Sequence, residues 1–176
     1  MANLKSIHDV VWDEDNETFV EESIGELLLH EGKVFSAHET FRSMSTGVFG
    51  EVYLKTPDST VGVHAAVYFT SSGVAEFSVR RSCTVAASGI ASVAINSNHN
   101  SSRSNLSSVR RSATLAASGT ELGLKYGGGQ GIFAAQGASA GNRSKKIYKT
   151  ETGYIFRIEP KTANITGTIE VEWWEH

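Results

Sequence analysis

A chain of 176 residues with a formal charge of -3, 40% hydrophobic and 20% charged residues, 17 Gly and only 2 Pro has the composition of a globular protein, which argues against a disordered or collagen-like chain. Its single cysteine, Cys83, excludes an intramolecular disulfide, so packing must hold the fold. No apolar run reaches the ~20 residues of a membrane helix, and Met1 to Val11 lacks a basic-then-apolar secretion pattern, so no membrane is expected among its partners.

The first 31 residues hold nine acidic side chains (Asp9, Asp13, Glu14, Asp15, Glu17, Glu21, Glu22, Glu26, Glu31) against Lys5, a balance of -8. Residues 32–176 then carry 15 basic and 10 acidic residues, a balance of +5. This division predicts an acidic N-terminal arm over 1–31 and a single domain over 32–176, the two attracting each other within one chain or between neighbours. Within the arm, Phe19, Ile24, Leu27 and Leu28 can share a helix face behind an Asn16 cap, although the same stretch also reads as an extended arm.

From Lys33 onward apolar residues recur with period two. Val34 to Phe41 and Glu51 to Lys55 are the first expected strands. Val61, Val63, Ala65, Val67 and Phe69 then make one dry face up to Thr70, and Ala75 to Arg80 follows. Further strands are expected at Ala91 to Ile95, Val109 to Leu115, Glu121 to Tyr126, Lys146 to Lys149 and Tyr154 to Ile158, the last stopped by Pro160. Ile165, Gly167, Ile169, Val171 and Trp173 alternate with Thr166, Thr168, Glu170, Glu172 and Trp174, which predicts a final strand with an acidic outer row. Many short strands between Ser/Gly/Asn turns indicate an all-β antiparallel sandwich or barrel.

One repeat stands out. Ser78 to Gly89 recurs as Ser108 to Gly119 with ten of twelve positions identical, differing at Cys83/Ala113 and Val85/Leu115. Two copies do not make a solenoid; two equivalent strand-and-turn units, neighbours in a sheet, are expected. A polar Asn96 to Asn105 loop separates them, and glycine is dense from Gly127 to Gly141.

No pattern in the chain calls for catalysis. Gly127 to Gly131 lacks phosphate-loop spacing, the six histidines lack short-range ligand spacing, and no Gly-x-Ser-x-Gly elbow occurs. No enzyme activity, cofactor or metal is therefore expected. Arg80, Arg81, Arg110 and Arg111 form a candidate basic patch; with few aromatics interleaved, nucleic acid is disfavoured as its partner. The candidate protein-interface set is those four arginines, the arm residues Asp13, Asp15 and Glu17, and Trp174, since arginine forks hold carboxylates in defined orientations.

His30-Glu-Gly-Lys-Val-Phe35, Ile95-Asn-Ser-Asn-His-Asn-Ser-Ser102, Gly127-Gly-Gly129, Tyr154-Ile-Phe-Arg-Ile158 and Ile169-Glu-Val-Glu-Trp-Trp-Glu175 together make the chain resemble a family of small virion proteins of tailed bacteriophages. The resemblance spans roughly Leu28 to His176; Met1 to Glu26 and the Arg-Arg-Ser repeat fall outside it. It implies a jelly-roll-like β-sandwich on the virion, assembled in the bacterial host cytoplasm. It also implies a trimeric decoration or cement protein bound to the major capsid protein or another virion protein. The alternative is a receptor- or carbohydrate-binding module of a tail or head fibre, with Trp174, Tyr126 and His99 stacking on sugars.

Overall fold

The computed structural model describes residues 8–13, 18–58, 61–87, 89–127 and 146–176. Among the described residues, fifteen strands and one short helix follow in order: β1 (His8–Asp13), β2 (Thr18–Ser23), α1 (Ile24–His30), β3 (Val34–Met44), β4 (Gly50–Lys55), β5 (Val63–Ser71), β6 (Ala75–Arg81), β7 (Thr84–Ala87), β8 (Ile90–Ala91), β9 (Ile95–Asn96), β10 (Ser108–Arg111), β11 (Thr114–Ala117), β12 (Thr120–Gly127), β13 (Lys146–Tyr148), β14 (Gly153–Pro160) and β15 (Ile165–Glu175). All the pairings are antiparallel, and the expected all-β sandwich is what forms.

Two sheets, ordered β12-β6-β14-β4-β10-β8 and β13-β5-β15-β3-β9, make the sandwich. Successive strands β3 to β6 alternate between them, and the β14–β15 pair inserts between β4 and β6 in one sheet and between β3 and β5 in the other. The eight strands β3, β4, β5, β6, β12, β13, β14 and β15 thus have jelly-roll order, β3-β15-β5-β13 facing β4-β14-β6-β12.

Period-two patterning fixes what lies between the sheets. Ile169, Val171 and Trp173 of β15 and Tyr154, Phe156 and Ile158 of β14 are buried, with Phe35, Leu54, Val63, Phe69 and Phe77 in the same core. Phe35 stacks on Trp173 at 5.8 Å between ring centroids and Phe69 on Phe77 at 5.2 Å; Tyr148 meets Tyr154 edge-on at 4.5 Å. Burial raises the Tyr148 phenol well above its ordinary pKa, with Tyr154 adding to the shift.

Three expectations need correction. Residues 91–95 do not form one strand: Ile90–Ala91 joins the larger sheet and Ile95–Asn96 the smaller, so this segment closes one sandwich edge by crossing between sheets. The 109–115 strand breaks at Ser112, whose φ of 53° turns the chain out of the sheet. The helix starts at Ile24, and Phe19 lies on β2. Gly32 (φ 65°) ends that helix, with Gly32 N–H bonding the Leu29 carbonyl and Lys33 N–H the Leu28 carbonyl, a Schellman closure.

Candidate functional site

The repeat builds the most distinctive part of the molecule. β6 and β12 are hydrogen-bonded neighbours, yet residues 82–119 lie between them in the chain, so the repeat region is one insertion in the jelly roll. Its first copy leaves β6, crosses as β7 and lands as β8 beside β10. Its second leaves β10, crosses as β11 and lands as β12 beside β6. β7 and β11 pair antiparallel, and the module has pseudo-two-fold symmetry about the β14–β4 pair.

The same local devices recur in both copies. Ser82 and Ser112 have φ of 61° and 53°, and Gly89 and Gly119 have φ of 67° and 64°. A Cβ on Gly119 would lie 2.1 Å from the Arg81 carbonyl oxygen, and one on Gly89 2.4 Å from that of Arg111, so only glycine fits either close approach. Cys83, Ala113, Val85 and Leu115 pack on Tyr53 and Ile155, which face each other on β4 and β14. This ribbon explains why Ile155, on the outer face by alternation, is completely buried. Burial raises the Cys83 and Tyr53 pKa values, and the Cys83 thiol donates to the Ser118 carbonyl at 3.3 Å.

Period two splits the candidate arginine patch. Arg80 and Arg110 sit in register with Ile155 and Tyr53, on the ribbon side, whereas Arg81 and Arg111 align with Tyr154 and Val52 on the opposite face. Arg80 bonds Glu121 of β12 at 3.0 Å, and Arg111 reaches Glu39 of the facing sheet at 3.6 Å. The four therefore do not form one continuous surface. Arg157 pairs with Glu51 beneath Phe49, its guanidinium 4.3 Å from the ring centroid, and Lys161 bonds both Glu76 and Glu159. Much of the body's charge on these faces is thus neutralised internally.

Trp174, expected at the surface, is 6% exposed. It packs with Val34 and Ala66 on the outer face of the smaller sheet, where Leu28 of α1 and Tyr68 lie against it. It was misjudged because alternation gives the face but not what covers it. His99 is exposed, and Tyr126 is on β12. Asp13 lies on β1 opposite Thr18; Asp15 and Glu17 fall outside the described residues.

Sequence reasoning missed Glu175. Its carboxylate, 1% exposed, accepts Leu106 N–H at 2.8 Å, Ser107 N–H at 2.7 Å and the Trp173 indole N–H at 3.0 Å. A lone acid closing an alternating strand carries no signal of such a role. The Asn-rich loop is likewise structural: Asn98 Nδ2 donates to the His30 carbonyl and Asn96 Nδ2 to the Gly32 carbonyl, tying the loop to the end of α1.

The arm ends in a helix seated on the body, but β1 and β2 form a sheet of their own. Their larger backbone contacts run within the hairpin and, from β2, onto α1. The pairs Asp9–Glu22, Val11–Val20 and Asp13–Thr18 share one face; His8–Ser23, Val10–Glu21 and Trp12–Phe19 share the other.

Among the described residues no three His, Cys, Asp or Glu side chains cluster as metal ligands, and no helix is long and apolar enough to cross a membrane. Comparisons with protein-family models, with curated proteins and with solved structures give no match.

Proposed function

We propose that this chain is a structural protein of a bacteriophage particle, a decoration or cement protein that binds and stabilises the head shell through the major capsid protein or another virion protein. The observation that supports the reading is the acidic β1–β2 hairpin, which among the described residues pairs with no strand of the jelly roll. A two-stranded hairpin alone is marginal in water, so a neighbouring surface would stabilise it. The resemblance of five segments to small virion proteins supplies the setting, and the jelly roll is a scaffold that viral shells use, among many other functions. Symmetric assembly, with a trimer favoured, would multiply modest contacts into firm attachment. The fibre-module alternative loses its main support, because Trp174 is covered by α1.

Mass spectrometry of purified particles tests the proposal through copy number: hundreds of copies per particle are expected. A handful, or heads of unchanged thermal and osmotic stability after gene deletion, would overturn it.

A further inference from the structure

The repeat insertion, residues 78–119, has a composition unlike the rest of the chain. It carries five arginines and no Asp, Glu, Lys, Phe, Tyr or Trp, so all 19 acidic residues lie elsewhere. Arg80 and Arg111 reach outside it to Glu121 and Glu39, whereas Arg103 and Arg110 form no ion pair among the described residues. An arginine fork holds a carboxylate through two parallel hydrogen bonds, and arginine in place of lysine is the balance that protein interfaces favour.

The insertion also exposes aliphatic surface along one edge of the sandwich. β8 lies beside β10 and β9 beside β3, so the segment between them, with Val93 at its middle, spans that edge. Leu106 flanks it at the entrance to β10, where Glu175 of β15 accepts its N–H. Ile90, Val93, Ile95 and Leu106 are each at least 50% exposed. Arg110 is in register with Ala91 of β8, and the Arg103 carbonyl accepts from Asn96 of β9, so the aliphatic strip has cationic flanks. The backbone beneath is held by Glu175 and by the Asn96 and Asn98 amides, and a partner that meets a preformed surface loses little ordering entropy.

Side chains must do the recognising, because β8 and β9 offer only two ladder residues each. With no aromatic residue, the insertion lacks the stacking groups of a single-strand nucleic-acid site and the Trp and Tyr anchors of a membrane interface. The complementary surface is an acidic protein with an apolar centre.

We infer that the 90–106 edge is the surface by which this chain holds the shell. Ile90, Val93, Ile95 and Leu106 pack on an apolar strip of the shell protein, and Arg103 and Arg110 receive the carboxylates beside it. The contact rests on the particle role proposed above.

Heads purified from the gene-deleted phage, incubated with the full chain and sedimented, test it. Val93→Asp with Leu106→Asp, and separately Arg103→Glu with Arg110→Glu, should each weaken binding about tenfold or more, as loss of central contacts does. Val48→Asp removes a similarly exposed apolar side chain from the β3–β4 turn and should bind as the wild type does. All three variants should keep the circular dichroism spectrum and the free-chain mass of the wild type. Arg103→Gln alone, on an exposed loop, reads the same contact if a double variant fails to fold, and it too should bind more weakly. A wild-type chain that does not bind the heads sinks the particle role and this inference together. Wild-type binding that either edge variant matches overturns the inference and leaves the particle role standing. Edge variants that lower the free-chain mass would assign the edge to a second copy, which overturns it as well.

Discussion

The two copies of the repeat follow the same backbone path and then diverge. Each turns at a left-handed serine, crosses the β14–β4 pair and lands on a left-handed glycine. Beyond that glycine the first copy pairs for two residues as β8, whereas the second runs for eight as β12. Two positions past the glycine, Glu121 lies opposite Arg80 and forms an ion pair; the equivalent residue opposite Arg110 is Ala91. Identical sequence thus sets the turn and the crossing, while ladder length and charge pairing follow from what each copy runs into.

Glu175 makes the largest difference between them, since it holds Leu106 and Ser107 at the entrance to the second copy alone. Glu175→Ala leaves three N–H donors, two of them buried, without their acceptor and should cost about 3 kcal/mol in urea unfolding. A loss under about 1 kcal/mol would show that water replaces the carboxylate there.

The glycines come next. Gly119→Val forces a Cβ onto the Arg81 carbonyl at a strained φ and should cost about 2–3 kcal/mol, because β12 belongs to the jelly roll itself. Gly89→Val meets a similar clash but secures only the short β8, which can open locally, so a smaller loss is expected. Equal drops in Tm for the two variants would mean that the module unfolds as one unit.

Cys83→Ala makes the copies alike at the fully buried position where they differ and should cost about 1 kcal/mol, from lost packing on Tyr53 and Ile155 and a weak thiol hydrogen bond. A gain in stability would show that the ribbon is overpacked.

Alternation made the sandwich legible: Ile169, Val171 and Trp173 point inward as the period requires. It failed where a third layer intervenes. Ile155 and Trp174 occupy the outer faces and are buried all the same, one beneath the ribbon and the other beneath α1, and period two records only the face. The repeat was visible as letters, but not as a crossover, because pairing β7 with β11 and β12 with β6 depends on contacts far apart in the chain. The arginine patch misled for the simplest reason: adjacent residues on a strand face opposite ways.

The central positions of β14 and β15 govern how the molecule can be made. Both sheets remain split into halves until residues 153–175 have left the ribosome, since those strands separate β4 from β6 and β3 from β5. Earlier strands must wait with open ladders, so folding should be slow and sensitive to crowding by sister chains.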